Sequence, residues 1–374
     1  MKFTVNTKEL LKALSQAAYV IANNAYIPQI ENVLFNIEGE TLTLISTDLE
    51  ITSQIQIPIY DNTDTFSVIV PVMLMTKTME ALPNIPITIE IDNETLAINI
   101  SYGEDNFNMV GYASDTFPQI PSLVSKLTIT LKGKDVLDAI KSTVFAAESK
   151  DDMRAYSNCV SVQIKKDILF YATNGNMLSK YVIPENIVLA SKIPVEYNIP
   201  KKAILAIGKY ITAEDEDVIF SFNQSNLKIE IENTHVLYTK LKETKYPSVE
   251  SVIPKDNNID IKISKKEFLQ AIKNISLYCN EYTNQIKIEI KNEELLLTAE
   301  NIDIKKKAVI KLPCESKNAD ITIGFNHKLL STIVSICKHE YIHLLLDSPS
   351  RAALIKDDAN ERCTMLLMPV MLND

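Results

Sequence analysis

The sequence predicts an α+β chain of three tandem repeats, each with two helices packed on antiparallel sheets, and three observations carry that prediction. Lys8-Glu9-Leu10-Leu11-Lys12-Ala13-Leu14 returns as Lys134-Asp135-Val136-Leu137-Asp138-Ala139-Ile140 and again as Lys266-Glu267-Phe268-Leu269-Gln270-Ala271-Ile272. Such self-similarity marks a repeated structural unit. Within each copy the apolar spacing of three and four puts one stripe on one helix face. Between the copies, runs that alternate apolar and polar residues read as half-buried antiparallel strands.

In chain order, the first helix spans 8–21, capped by Asn6 or Thr7, and strands follow at Leu42–Thr47 and Ile51–Ile57. Pro71 opens a second helix over 72–82, and Pro83 stops it. Ile87–Ile91 and Leu96–Ile100 then alternate again, and the unit closes at Phe117-Pro118-Gln119-Ile120-Pro121. The second unit has helices over 134–147 and 201–210 and a strand Ile168–Thr173 that turns at Asn174-Gly175. It ends at Tyr246-Pro247, a second aromatic-proline exit. In the third, Ser264 and Glu267 have capping-box spacing ahead of a helix over 265–278. Strands at Ile286–Ile290 and Leu295–Ala299, a helix over 326–338, and strands at Tyr341–Leu346 and Met365–Met368 complete it. The repeats set boundaries at 1–122, 123–256 and 257–374 and imply six helices.

Composition excludes several classes. No run of 18 apolar residues and no signal-peptide pattern occurs, so a cytoplasmic protein without a membrane partner is expected. The five cysteines are scattered and form no C-x-x-C pair, which argues against a disulfide frame or a zinc site. Only 7 glycines are present, with no phosphate-loop or nucleophile-elbow pattern, which argues against a glycine-rich phosphate site, and no cofactor is expected.

The net charge of -10 conceals a separation. The six helices carry 13 lysines against 5 acids, while the whole chain has 38 basic and 48 acidic residues, so the remainder stands at -18. Lysine-rich helices gathered against a polyanion, with acidic sheets turned away, would account for this. The helices contain no arginine, so the contact is a point-charge contact to phosphate without base reading. A scaffold that binds peptides alone would give these lysines no role.

Several segments together resemble one family: Met1-Lys2-Phe3-Thr4-Val5, Ile27-Pro28 with Asn32, Ser46-Thr47-Asp48-Leu49-Glu50, Ala172-Thr173-Asn174-Gly175, Lys245-Tyr246-Pro247, Ile323-Gly324-Phe325-Asn326 and Met368-Pro369-Val370-Met371-Leu372. In this order and spacing they are similar to the bacterial DNA polymerase III beta subunit, the sliding clamp. The resemblance implies DNA-clamp domains in a ring-forming head-to-tail homodimer, twelve helices lining the hole. At about 9 Å between helices the hole's circle of axes is roughly 34 Å across, wide enough for a duplex. It implies a non-catalytic processivity factor around double-stranded DNA. Implied partners are the replicative polymerase catalytic subunit, the clamp loader, and other polymerases and repair proteins.

Lys12, Lys77, Lys141, Lys201, Lys202, Lys209, Lys273 and Lys328 are the lysines expected to face phosphate. The resemblance also implies a peptide pocket from Thr173, Gly175, Asn176, Met177 and Leu178, with Pro247, Ser251 and Val252. Leu366, Leu367, Met368 and Pro369 complete it, and Arg154 and Tyr156 lie nearby. Met, Leu, Val and Pro supply apolar walls for a leucine or aromatic side chain. The pocket departs from the family in being less charged, with Asn174, Asn176, Met177 and Met371 at positions that commonly carry charge or histidine. Asn24 stands where an arginine often approaches DNA. At the ring joint, Phe107 is expected to meet Leu277 or Tyr278 of the other subunit.

His339-Glu340-Tyr341-Ile342-His343 satisfies H-E-x-x-H, a zinc pattern that works only on a continuous helix. Here the helix ends near Lys338 and a strand follows, which separates the histidines by about 13 Å. No metal site is expected.

Overall fold

A computed structural model describes residues 1–21, 27–62, 64–148, 154–184, 194–291, 293–302, 304–316 and 320–372. Asn24 and the terminal Asn373-Asp374 lie outside the described residues.

The first repeat runs β1 (Lys2–Asn6), α1 (Thr7–Ala17), β2 (Val33–Glu38), β3 (Thr41–Thr47), β4 (Ile51–Pro58), β5 (Phe66–Val70), α2 (Val72–Ala81), β6 (Pro86–Ile91), β7 (Ala97–Tyr102), β8 (Asp105–Val110) and β9 (Tyr112–Ala113). The second runs β10 (Leu127–Lys132), α3 (Gly133–Thr143), β11 (Cys159–Ile164), β12 (Ile168–Thr173), β13 (Met177–Ile183), β14 (Val195–Pro200), α4 (Lys201–Tyr210), β15 (Asp217–Phe222), β16 (Asn226–Ile231), β17 (His235–Lys240) and a short α5 (Val249–Val252). The third runs β18 (Ile259–Ser264), α6 (Lys265–Ser276), β19 (Gln285–Lys291), β20 (Glu294–Asn301), β21 (Lys306–Pro313), β22 (Glu315–Ser316), β23 (Asp320–Asn326), α7 (His327–Ile336), β24 (Tyr341–Leu346), β25 (Ala353–Lys356) and β26 (Cys363–Leu367).

Among the described residues the six expected helices are present, and α5 is a seventh that the sequence does not announce. Five of the six stop short of their expected ends. Asn6 caps α1 through bonds from the Lys8 and Glu9 amides, and Ser264 Oγ accepts from the Glu267 amide at 3.5 Å. At the far end of α7 the buried Asp357 carboxylate accepts from the backbone amides of Lys338 (2.5 Å) and His339 (3.1 Å), which draws the chain out of the helix. His339 therefore lies beyond the helix and His343 on strand β24, where it contacts Asp260 at 2.8 Å. Among the described residues no group of three or more His, Cys, Asp or Glu is placed to hold a metal.

Two compact units emerge, residues 1–137 with 202–241, and residues 138–201 with 242–374. The first holds a four-stranded sheet, β1-β6-β7-β8, and a nine-stranded sheet, β10-β15-β16-β17-β4-β3-β2-β5-β9. The second holds a nine-stranded sheet, β14-β11-β12-β13-β26-β25-β24-β18-β22, and a four-stranded sheet, β21-β20-β19-β23. Each nine-stranded sheet joins strands of consecutive repeats.

The ladders align the repeats residue by residue. Phe3, Ile129 and Ile261, each five residues ahead of the repeated lysine, pair with Ile89, Phe220 and Leu344. Following those ladders outward reaches Phe107, Leu237 and Met365. The same procedure from the start of α2, α4 and α7 makes Ser53, Ser179 and Ala308 correspond. Both joints inside the chain pair these positions: Leu237 with Ser53 and Met365 with Ser179.

In the first unit His235 is half-buried beside the Tyr210 ring, with Nε2 3.1 Å from Gln16 Oε1 and Nδ1 2.9 Å from Thr234 Oγ1. Burial, with the Lys12 charge adding to it, lowers its pKa to about 4. The unfolded imidazole takes its proton near 6.5. Stability from this neutral histidine is therefore fully present above pH 6.5 and is lost as pH falls toward 4. The expected loss is about 2 to 3 kcal/mol, read as a fall in urea midpoint between pH 7 and pH 4.5 that His235→Gln flattens.

Candidate functional site

The predicted pocket residues all fall in the second unit, around the β12–β13 turn. Thr173 Oγ1 accepts from the Gly175 amide at 3.0 Å and donates to the Met177 carbonyl at 2.7 Å. Asn174 Oδ1 accepts from the Asn176 and Met177 amides, both at 3.0 Å, and its Nδ2 donates to Glu148 Oε1 at 3.0 Å. Gly175 takes φ +86°, and the Arg154 guanidinium occupies the space a Cβ there would fill. The same turn recurs at Thr47-Asp48-Leu49-Glu50 in the first repeat, with Leu49 at φ +74° in the glycine's place.

Strand pairing brings the C-terminal residues to this turn. Met177 and Leu178 face Leu367 and Leu366 across the β13–β26 ladder, and the Met368 amide donates to the Asn176 carbonyl at 2.7 Å. Beneath lies an apolar cluster that includes Leu178, Leu366, Leu354, Tyr171 and Tyr246, with Tyr156 and Ile253 packed against it. Tyr246 is clamped between rings, 5.5 Å from Tyr156 and 5.1 Å edge-on from Tyr171, and its hydroxyl accepts from the Thr173 amide at 2.9 Å. Burial pushes the Tyr246 and Tyr171 phenols well above their ordinary range, and Tyr171 also donates to Glu196 at 2.5 Å.

Thr173, Met177, Leu178, Leu366 and Leu367 are buried. Val252 and Met368 stand exposed by 48% and 40%, flanked by half-buried Tyr156, Pro247 and Pro369 and by exposed Arg154, Gly175, Asn176 and Ser251. Sequence reasoning missed Tyr246, whose aromatic-proline repeat with Phe117 was the available signal, and Glu148, which had none. It also missed a cavity of about 240 Å³ bounded by Leu169, Tyr171, Lys180, Tyr246 and Pro247. All five cysteines are buried, and burial raises the Cys363 thiol to about 11, which suppresses the reactive thiolate.

The predicted lysines divide by environment. Lys12, Lys77, Lys141, Lys273 and Lys328 are exposed. Lys273 and Lys328 border a groove of about 610 Å³ between α6 and α7, floored by Leu269 and Ile272 and edged by Ser331 and Thr332, with no acid in its lining. Lys201, by contrast, donates to the Ala147 carbonyl at 2.6 Å, and burial lowers its pKa. Lys202 pairs with Asp48 at 2.5 Å and donates to the Val20 carbonyl, and Lys209 lies 5.5 Å from the Tyr19 ring centroid.

Two sheet edges carry apolar side chains. On β8, Phe107 and Val110 are exposed by 38% and 63%. On β21, Val309 is exposed by 51%, and beyond the end of α6 Leu277, Tyr278 and Tyr282 are also exposed.

Residues 1–121, 130–248 and 250–371 match the N-terminal, central and C-terminal domains of the DNA polymerase III beta subunit. The "Beta sliding clamp" of Pseudomonas aeruginosa is 24% identical over 373 residues, covering all of both chains, and that of Chlamydia muridarum is 24% identical over 377, also covering both. The crystal structure of the DNA polymerase III subunit beta from P. aeruginosa superposes with a TM-score of 0.91 at 23% identity over the full length of both chains. That of the beta subunit from Thermotoga maritima does so with 0.90 at 19%, again over both chains. Three consecutive domain matches in the family's own order, laid on three structural repeats, leave one conclusion: the chain belongs to the DNA polymerase III beta subunit family.

Proposed function

We propose that the protein is the processivity factor of a replicative DNA polymerase, a passive ring of two copies joined head to tail around duplex DNA. Its three clamp domains are 1–122, 123–256 and 257–374. The observation that carries this reading is the shared register of the two internal joints. The third pair of corresponding edges, β8 and β21, is left open within one chain. Pairing the β8 edge of one copy with the β21 edge of the other continues the repeat, covers both of these edges and closes a symmetric ring. In that register Phe107 faces the partner's Ala308, and Glu104 faces the partner's Lys311. Beside this ladder the exposed Phe107 side chain meets Leu277 or Tyr278 of the partner.

The exposed helix lysines give the ring a sequence-independent attraction to phosphate. The turn at Gly175, with Val252 and Met368, forms the surface that holds short apolar segments of the polymerase catalytic subunit, the clamp loader, other polymerases and repair proteins. No cofactor takes part. No described helix is long and apolar enough to cross a membrane.

Solution mass by sedimentation, combined with retention on nicked circular and linearised duplex after loading by a clamp loader, tests the reading. A dimer that stays on circles and runs off linear ends is the expected result. A monomer, or retention that ignores topology and falls with salt alone, overturns the ring and favours a peptide-binding scaffold.

A further inference from the structure

We infer that Gly324 is a positioning residue for the peptide pocket, because its missing side chain is what allows the C-terminal tail to be strapped down beside that pocket. This rests on the pocket reading above. Gly324 lies on β23, an edge of its four-stranded sheet, and pairs there with Val370 in an isolated antiparallel bridge. The Val370 amide donates to the Gly324 carbonyl at 2.9 Å. A Cβ at position 324 would lie 2.6 Å from the Val370 carbonyl oxygen and 2.9 Å from Leu372 Cδ2. The first of these obstacles is backbone and cannot rotate away.

The strap has a second pin two residues earlier, where the Met368 amide meets the Asn176 carbonyl at 2.7 Å. Only Pro369 lies between the pins, with a fixed φ and no amide hydrogen of its own. Exposed Met368 and half-buried Pro369, the lip of the pocket, are thus held from both sides. The other repeats supply an internal control. The positions corresponding to Gly324 are Ile69 and Asn198, which bear side chains at the same place in the ladder. Gly324 does not sit at positive φ, so its backbone conformation is open to alanine and the requirement is one of space.

The test uses the full-length protein and a short fluorescein-labelled peptide bearing leucine and phenylalanine, with binding followed by anisotropy. Gly324→Ala is expected to raise Kd about tenfold, near 1.4 kcal/mol. Faster amide exchange at Val370 and Leu372 should accompany it, with sedimentation mass and thermal midpoint retained. Leu372→Ala removes only the side-chain contact and should raise Kd by about a third as much in free energy. The double variant should bind no better than Gly324→Ala, because the Val370 carbonyl still blocks the new methyl. Unchanged affinity in Gly324→Ala with a loosened tail overturns the inference. If Gly324→Ala unfolds, a chain ending at Pro369 decides instead, since it removes the strap and spares Gly324; wild-type affinity there also overturns the inference. Failure of the wild-type protein to bind the peptide is a different outcome and counts against the pocket itself.

Discussion

Val309→Pro is expected to yield a folded monomer, whereas Ile310→Pro, one residue away, is expected to damage the fold. Alternate amides of an edge strand point away from its own sheet. Which ones do so on β21 follows from the internal joints. The Gln56 amide donates across the first joint to the Thr234 carbonyl, and the Val182 amide across the second to the Arg362 carbonyl. The ladders make Gln56 and Val182 correspond to Lys311, so the amide of Val309, two residues earlier, also points outward. Proline there removes a donor that only the partner's β8 would use, and an edge strand tolerates it in the monomer. The ring has two such joints, each losing a ladder bond worth about 1 kcal/mol and any close approach the pyrrolidine ring blocks. Dimer dissociation should rise roughly a hundredfold or more. The Ile310 amide points inward to β20, opposite Leu297, so proline there breaks the monomer's own ladder. Sedimentation and circular dichroism read both variants. A dimer dissociation constant unchanged by Val309→Pro, measured by sedimentation over a dilution series, would rule out this joint.

Local order in the structure was largely legible, for local reasons. The apolar stripe from Leu10 to Leu14 needs only a helix's own period, and the alternation in Ile51–Ile57 only a strand's. The capping residues Asn6 and Ser264 announce themselves by type and spacing. Helix ends were less legible because tertiary partners set them: α7 stops where Asp357, 19 residues beyond Lys338, takes the Lys338 and His339 amides. The two joints between repeats left no mark in the sequence, since pairing β4 with β17 links residues about 180 positions apart and local pattern carries no such information. The candidate pocket residues rest on resemblance, and the sequence does not show which of them are covered: Leu366 is buried and Met368 is not. Glu148 holding Asn174, and Arg154 filling the space over Gly175, depend on side-chain reach across loops.

The same distinction between residue type and environment sets which lysines are predicted to act on DNA. Glutamate at Lys12, Lys77, Lys141, Lys273 and Lys328 together should abolish processive synthesis on a primed circle while the ring stays dimeric. All five ammonium groups are exposed, so each is free to displace a counterion from phosphate. If all five do so, the slope of log affinity against log salt for a short duplex should drop by about 4 to 5 per protomer. Lys201 should behave otherwise despite sitting at the head of the lysine-rich α4. Its ammonium is half-buried and donates to the Ala147 carbonyl, so Lys201→Glu leaves that acceptor unmet and buries an opposite charge. The expected result is a lower thermal midpoint with an unchanged salt slope. Lys202 is already neutralised by Asp48 and contributes little to the slope. Processivity that survives the five-fold reversal in an intact dimer would remove the electrostatic role of the helices and leave the peptide-binding scaffold as the better account.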